Sequence, residues 1–400
     1  MQTSRKITFD GVIVPLRRQV FLSDFWSKSF LHLPGPKGRF ASLLPWTELS
    51  SITERVEPSR LTLFRDGKRV DSSQFVSIRR GSGTLNSADM MNCLAKGATL
   101  IINSVDELLP ALRELVEDFE EVLRTRTTVN IYAGWRTQKG FDLHWDSQDT
   151  MILQVSGRKH WKVYAPTRLH PLHPDLEETP RPAGEPVWDG ILEDGDVLSL
   201  PRGWWHVAIP LNEPSLHLTV TVLPPKGADF LQWFVNRLQR HEEVRMNVPH
   251  VANDLERKQY FPKLRELMVA ALQDDELLGQ FQRDWEAKIP LRARTRLPLA
   301  PIEQRAPIGM ETEVRLATAR RLVFNQPTES GKVPFTAGEI RGECSFDLVP
   351  ALEKLSGTSN HSVRELCAHV PSQESARMLM ILLTALAMKG AVWTERPANT

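Results

Sequence analysis

The 400-residue sequence contains few cysteines, no long apolar run and no excess of charge of either sign. Its three cysteines, Cys93, Cys344 and Cys367, are odd in number and far apart, which argues against a disulfide framework and predicts a reducing, cytoplasmic setting. Because no stretch of about 18 apolar residues is present, no membrane span is expected. No basic segment followed by an apolar run opens the chain, so no signal peptide is expected either.

The charges are balanced, with 50 Lys and Arg against 49 Asp and Glu and a formal net charge of +1. This balance excludes a bulk electrostatic attraction to nucleic acid or to a membrane surface. Hydrophobic residues make up 41% of the chain and charged residues 25%, as is typical of globular proteins. The length is sufficient for two or three domains.

Segments with strand-like alternation, separated by turns, follow one another from about Thr128 to Leu223. They predict a mainly β core, a double-stranded β-helix or jelly roll. Ahead of it, the segment 61–64 and the Asp-Gly turn that follows predict a hairpin. The segment from Ser104 to Phe119 predicts a helix that Ser104 caps. Core and flank together give a first domain over residues 1–225.

Two histidines and one aspartate are candidate metal ligands in this β region. His144 and Asp146 are two residues apart, a spacing that puts both side chains on the same side of an extended segment. His206 would come from another strand of the same barrel. Two imidazoles and one carboxylate can occupy one face of an octahedral Fe(II), as in the facial triad of non-haem iron oxygenases.

The residues before His206 strengthen this interpretation. Gly195, Pro201, Gly203 and His206 match the second cupin motif, G-X5-P-X-G-X2-H, at every fixed position up to the histidine. The glycines and the proline predict turns, so His206 should begin a strand just after a rigid corner. Pro210 stands where the motif ends in asparagine, a departure that leaves the candidate ligand in place.

A lysine lies between the two ligand segments. Residues 151–155 and 159–165 predict a hairpin, and alternation puts Lys159, Trp161 and Val163 on its more apolar face. A buried ammonium is costly unless it is paired with an anion, and no acidic residue lies beside Lys159 in the sequence. An anionic cosubstrate such as 2-oxoglutarate would compensate that cost.

These motifs, together with Asn130-Ile-Tyr132, resemble the JmjC-type cupin oxygenases, and within them most of all the ribosomal oxygenases. The resemblance covers roughly residues 15 to 225. It implies that His144, Asp146 and His206 bind Fe(II) and that Lys159 holds the distal carboxylate of 2-oxoglutarate. It also implies that the side chains of Asn130 and Tyr132 reach the same pocket.

The activity that this resemblance implies is hydroxylation of a side-chain carbon in a protein, for example a ribosomal protein. N-demethylation uses the same chemistry and stays open. A hydroxylase that tailors a peptide or a small molecule would have the same iron site. A non-catalytic cupin scaffold is a third alternative, although it would not need the triad and Lys159 together.

Three further side chains are harder to place from the pattern. His217 alternates with Thr219 and Thr221, and this polar row could line the pocket or face solvent. Trp204 and Trp205 are interpreted as packing residues at the mouth of the barrel.

After residue 225 the apolar period changes from two to about 3.6. One predicted helix, capped by Asp229, and a second one each have an apolar stripe; the stripes contain Phe230, Trp233, Phe234 and Leu238, and Leu264, Leu267, Met268, Ala271 and Leu272. They could pack on the barrel or pair with a second copy. We favour a homodimer through a helical dimerisation region over residues 226–290, as in the ribosomal oxygenases that the chain resembles.

A segment rich in Pro and Arg, 289–301, predicts a linker. Beyond it, helices are predicted at 348–355, 362–370 and 372–388, with a strand at 391–394, an order that predicts a winged-helix-like domain over residues 301–400. This domain has 11 Lys and Arg and 11 Asp and Glu, whereas a duplex-binding face needs clustered positive charge. We therefore expect a protein-interaction or structural role and no direct DNA binding.

Overall fold

The computed structural model describes residues 6–79, 82–173, 180–251, 254–289, 292, 308–318, 321–337, 340–357 and 359–395. By its internal contacts the chain divides into two compact units, Met1–Pro224 and Pro225–Thr400. The predicted linker 289–301 lies outside the described residues except for Ile289 and Arg292.

The strands of the first unit form the predicted jelly roll. They are β1 (Leu31–Leu33), β2 (Leu61–Arg65), β3 (Lys68–Arg69), β4 (Val76–Arg79), β5 (Ser82–Leu85), β6 (Thr99–Ile102), β7 (Thr127–Gly134), β8 (Asp149–Ser156), β9 (Lys159–Tyr164), β10 (Trp188–Leu192), β11 (Val197–Leu200), β12 (Trp205–Pro210) and β13 (Ser215–Val222). The long sheet has the order β1-β11-β8-β13-β7-β6-β2-β3, and the smaller sheet has the order β10-β9-β12. β4 and β5 pair separately. The hairpin predicted at 61–68 is present as β2 and β3.

Strand alternation determines which side chains reach the interior of the barrel. In β9, Lys159, Trp161 and Val163 are buried and the residues between them are partly exposed, as predicted. β7 alternates in the same way. β8 and β11 are buried at almost every position, because strands inside a sheet that is covered on both faces have no solvent side.

Most helices of the first unit share one apolar core with the long sheet. The helices are α1 (Phe9–Ile13), α2 (Arg18–Val20), a π-helical turn (Phe21–Phe25), α3 (Trp46–Arg55), α4 (Ser87–Ala95) and α5 (Pro110–Leu123). Phe9, Leu112 and Phe119 are fully buried in one apolar core with Ile131 of β7 and Leu218 of β13. This core fixes the long sheet as one wall of the barrel.

The predicted start of the longest of these helices is wrong. α5 begins at Pro110, since a proline lacks the N–H that the first turn of a helix leaves unpaired. Ser104 precedes only a short 3-10 turn, Val105–Glu107; its φ is +52° and its side chain makes no capping hydrogen bond.

The second unit opens with the helices α6 (Gly227–Leu238), α7 (Glu242–Arg245), α8 (Asp254–Leu272) and α9 (Leu277–Glu286). α6 begins three residues earlier than predicted: Lys226 and not Asp229 is its N-cap, and Asp229 accepts a hydrogen bond from the Lys226 backbone N–H at 2.7 Å. Phe234, Leu238 and Leu277 form a small buried cluster. Most of α8 is exposed, including the predicted stripe residue Leu272, which is 51% exposed.

The last part of the second unit contains more strands than the sequence pattern indicated. They are β14 (Glu313–Leu316), β15 (Val323–Phe324), β16 (Lys332–Ala337), β17 (Ile340–Ser345), β18 (His361–Ser362) and β19 (Val392–Glu395), and the helices are α10 (Val349–Leu355), α11 (Val363–Cys367) and α12 (Gln373–Met388). The three predicted helices and the last strand are present within a few residues. β14 pairs with β18 and β19, and β16 pairs with β15 and β17. Within the described residues we find no helix whose length and apolar content would let it cross a membrane.

Candidate active site

The predicted ligands His144 and His206 are paired through their backbones. The His144 N–H donates to the carbonyl of His206 at 3.2 Å, and the His206 N–H donates to the carbonyl of His144 at 2.7 Å. This bridge is isolated, so His144 does not lie in a strand as its spacing from Asp146 suggested. Across this bridge the two imidazole rings lie 4.4 Å apart.

Asp146 completes the cluster. Its carboxylate oxygens lie 3.8 Å from Nε2 of His144 and 3.6 Å from Nε2 of His206. One candidate ligand atom from each residue lies within 4.8 Å of the others. The structure therefore brings together all three residues that the sequence pattern selected.

Hydrogen bonds at the far side of each ring fix the tautomers. Nδ1 of His144 lies 2.8 Å from the carbonyl of Asp142, and Nδ1 of His206 lies 3.0 Å from that of Trp204. Because a carbonyl only accepts, each Nδ1 carries the proton and each Nε2 keeps its lone pair. Burial, and then the neighbouring His144, lower the pKa of His206 to about 4, so its ring is neutral at pH 7 and able to bind a metal.

A tight corner positions His206. Between β11 and β12, Gly203 has a φ of +86°, which glycine adopts without strain. The Arg202 N–H donates to Oδ1 of Asp149 at 2.7 Å, and the Gly203 N–H donates to the carbonyl of Asp146 at 3.0 Å. These bonds hold the corner against the segment that carries the other two candidate ligands.

Lys159 is buried in the same cavity, with 2% of its surface exposed. Its Nζ lies 3.1 Å from Nδ1 of His217, within hydrogen-bond distance. No carboxylate in the described part of the chain pairs with it, and burial lowers its pKa to about 7. The cavity therefore contains a buried basic group for which the described residues provide no ion-pair partner.

His217 is 3% exposed and lines the cavity, which resolves the alternative left open by the polar row. The ring of Tyr132 stacks on it at 4.9 Å with an interplanar angle of 16°. Asn130 is outside the cavity lining; its side chain hydrogen-bonds Tyr132 and accepts from the Ser104 N–H at 3.0 Å. Asn130 thus acts on the pocket through Tyr132.

The cavity encloses about 790 Å³ of empty space, part of it open solvent. It is lined by residues of both sheets and of the segment before His144, namely Thr99, Tyr132, Gly140, Phe141, His144, Asp146, Thr150, Ile152, Lys159, Trp161, His206, Ala208, Pro210, His217 and Thr219. Ala208 and Pro210 were missed in the sequence, although they follow His206 with the period of a strand. Phe141 was missed too, because it lies outside any regular element.

Trp204 and Trp205 are both packing residues. The Trp204 ring lies 5.3 Å from that of Phe30. Trp205 is 5% exposed, and its Nε1–H donates to Oγ1 of Thr167 at 3.0 Å.

The side chains fit a divalent metal and an anionic ligand. Two imidazole nitrogens with free lone pairs and one carboxylate are the donor set of a facial triad, which leaves further coordination positions open. The buried ammonium of Lys159, in the same cavity, matches a carboxylate that would supply the missing negative charge.

Residues 107–230 match the family model described as a JmjC domain. Over these residues the chain is similar to JmjC domains, and the resemblance that the motifs indicated is confirmed.

Among curated proteins, the chain is 28% identical over 232 residues to the bifunctional lysine-specific demethylase and histidyl-hydroxylase NO66 of Drosophila pseudoobscura pseudoobscura, a match that covers 54% of this chain and 23% of that protein. It is 26% identical over 298 residues to the protein of that name from Culex quinquefasciatus. That match covers 66% of this chain and 45% of the relative. The chain thus spans less than half the length of either relative.

Two solved structures cover almost the whole chain. The ribosomal oxygenase YcfD of Escherichia coli has a TM-score of 0.59 at 20% identity, covering 95% of this chain and 98% of that one. YcfD in complex with cobalt and 2-oxoglutarate has a TM-score of 0.61 at 19% identity, covering 95% and 99%. At this level of identity the likeness shows a shared fold.

Proposed function

We propose that this protein is an Fe(II)- and 2-oxoglutarate-dependent oxygenase. The observation that carries the proposal is a single cavity with two complementary parts: the triad of His144, Asp146 and His206, and the buried Lys159, which has no carboxylate partner among the described residues. YcfD, whose fold the chain shares, has been crystallised with cobalt and 2-oxoglutarate.

In this proposal each residue has a defined task. His144, Asp146 and His206 hold the metal on one face, with tautomers fixed by the carbonyls behind the two rings. Lys159 binds the distal carboxylate of 2-oxoglutarate, and Tyr132, held by Asn130, forms the wall beside it. When bound, iron and 2-oxoglutarate would supply the chemistry that activates O2: one oxygen atom is inserted into an unactivated C–H bond, and the other oxidises 2-oxoglutarate to succinate and CO2. The protein's own contribution is to fix this geometry and to admit one C–H bond to the open side of the triad.

The substrate that we propose is a side chain of a protein, hydroxylated at carbon. His144 and Asp146 are each 36% exposed in their side chains, so the metal site opens to the surface, where a side chain of another protein can enter. NO66 is named as a histidyl-hydroxylase and as a lysine demethylase, and YcfD as a ribosomal oxygenase. A ribosomal protein is the first candidate, with an N-methylated side chain as the alternative.

The experiment for the activity measures succinate formed from 2-oxoglutarate by the purified chain with Fe(II), with and without candidate peptides. The His206→Ala variant is the negative control. A parent protein that turns over no more 2-oxoglutarate than this variant, with or without peptide, contradicts the proposal.

The experiment for the substrate is mass spectrometry of ribosomal proteins from cells with and without the gene. Hydroxylation adds the mass of one oxygen atom to a peptide, whereas demethylation removes a methylene and releases formaldehyde. A small-molecule tailoring enzyme would leave all these peptides unchanged.

The helical part of the second unit is proposed to form a homodimer. Within the described chain, Leu255 and Phe261 of α8 are each 65% exposed, and Val269 and Leu272 are about half exposed. Large apolar side chains in such a row usually mark an interface. A second copy of the same helices is the partner that we infer.

For the remaining part we retain a winged-helix-like domain that contacts protein and not DNA, although strands β14–β17 precede its helices. We also propose that the protein acts in the cytoplasm. Cys93, Cys344 and Cys367 are free thiols, as is expected in a reducing compartment.

A further inference from the structure

His217 is the cavity residue to which the proposed chemistry assigns no task. It lies in β13, between β7 and β8 of the long sheet, and its ring is clamped between Tyr132 at 4.9 Å and Trp161 at 5.6 Å. Rings held on two sides have little rotational freedom, so the orientation of its nitrogens is set by the fold.

The contact with Lys159 determines the tautomer of this ring once the lysine is protonated. A lysine ammonium has donors only, so in that state Nδ1 of His217, 3.1 Å away, is the acceptor and the ring proton is on Nε2. Burial first, and then the positive charge of Lys159, hold the pKa of His217 well below its ordinary value of 6.5. His217 is thus a neutral partner that directs the lysine without compensating its charge.

The other titratable groups around the pair do not compensate it either. From β7, Tyr132 is neutral because burial raises its pKa. From β12, His206 lies beyond Trp161, whose ring is 6.0 Å away, and is neutral at pH 7. From β8, the residues in this lining are Thr150 and Ile152. The carboxylate of Asp146 lines the same cavity, but its ion-pair contacts are with His144 and His206 and not with Lys159. Since the pKa of Lys159 is about 7, much of the lysine is uncharged until an anion arrives.

We propose that His217 is a positioning residue that orients the Lys159 ammonium toward the bound carboxylate, and that Lys159 is protonated when 2-oxoglutarate binds. The inference rests on the proposed function, because it takes 2-oxoglutarate as the anion. One N–H of the ammonium is held by Nδ1 of His217, which leaves the other two to meet the carboxylate. The proton comes from solvent and forms a new N–H bond on Nζ.

Proton uptake is measured by calorimetric titration of 2-oxoglutarate into the oxygen-free, Mn(II)-loaded full chain at pH 8. Buffers of different ionisation enthalpy give the number of protons that are taken up on binding. A lysine of pKa about 7 is roughly 90% neutral at that pH, so binding should take up about 0.9 proton. The affinity should fall about ten-fold for each pH unit above 8. Lys162→Ala is the matched control: it lies on the outer side of the same strand beside Asp189, and should leave proton uptake unchanged.

Two variants of His217 separate positioning from packing. His217→Asn keeps an acceptor near the position of Nδ1 and should bind 2-oxoglutarate within about three-fold of the parent, with the same proton uptake. His217→Leu fills similar space without an acceptor and should lose more than about ten-fold in affinity. Binding without proton uptake, or a Leu variant that binds like the parent, overturns this inference alone. A parent that binds no 2-oxoglutarate at any pH contradicts the proposed function as well.

Discussion

His144 and His206 exchange both backbone hydrogen bonds, at 3.2 and 2.7 Å, although 62 positions separate them in the sequence. The same contact region contains the bond from the Gly203 N–H to the carbonyl of Asp146. The three candidate ligands are therefore positioned by main-chain contacts, and not only by their side chains. Such a site is preformed, because the barrel itself holds the ligand spacing.

Replacing any one of these ligands should abolish the metal site and leave the fold intact. We expect His144→Ala, Asp146→Ala or His206→Ala to weaken Co(II) binding more than about 100-fold and to remove 2-oxoglutarate turnover, since two remaining ligands do not make a competent site. Visible absorption of the Co(II) protein and a turnover assay measure this. His369→Ala, at an exposed position in the second unit, is the control. A triad variant with parental turnover would show that the ligand assignment is wrong.

The ligands could be predicted from the sequence because turns and strand period are local properties. The glycines and proline before His206 define the corner, and the alternation in β9 defines the inward face of Lys159. His217 could not be placed in the same way. β13 lies inside a sheet whose two faces are both largely buried, so alternation separates the faces without telling which one lines the cavity.

Two other predictions from the sequence were incorrect or incomplete. Serine is a common N-cap residue, yet the φ of Ser104 is positive and the helix begins at Pro110. The strands β14–β17 were not predicted. They are short, and their pairing depends on contacts between different segments of the chain, which the pattern within one segment does not show.

Lys159→Ala should weaken 2-oxoglutarate binding and leave metal binding nearly unchanged. Loss of a buried charge-assisted pair costs on the order of 2–5 kcal/mol, so the Michaelis constant for 2-oxoglutarate should rise at least about 30-fold. Lys162→Ala, on the outer side of β9, should behave like the parent. An unchanged Michaelis constant in Lys159→Ala would remove this lysine from the cosubstrate site.

The metal-free and cosubstrate-free protein should become more stable as the pH rises from 7 towards 10. The pKa of folded Lys159 is about 7 and its ordinary value is 10.5, so between these values the unfolded chain binds more protons than the folded one. Lys159 should then raise the free energy of unfolding by up to about 1.4 kcal/mol per pH unit. Urea unfolding of the parent and of Lys159→Met measures it. Equal slopes in the two proteins would contradict a neutral buried lysine.

The full chain should show no specific binding to duplex DNA at physiological salt. The last hundred residues contain 11 basic and 11 acidic side chains, so they lack the cationic excess that phosphate contacts require. Fluorescence anisotropy with a randomised duplex library, at low and at physiological salt, measures this. Sequence-selective binding that persists at the higher salt would assign the C-terminal domain to DNA recognition instead.

The exposed row on α8 should be the contact between two copies of the chain. Phe261 is 65% exposed and Leu272 is 51% exposed in the single chain, and burying each of them fully would contribute about 1.5–3 kcal/mol. Phe261→Glu and Leu272→Glu place a charge in that contact and should convert a dimer into monomers, as measured by sedimentation velocity. Met378→Glu, at another exposed apolar position on α12, is the matched control and should leave the mass unchanged. Because the ligands and Lys159 lie in the other unit, the monomeric variants should keep their affinity for 2-oxoglutarate. A parent that sediments as a monomer would contradict the proposed dimer, and a dimer that survives both glutamates would place its interface elsewhere.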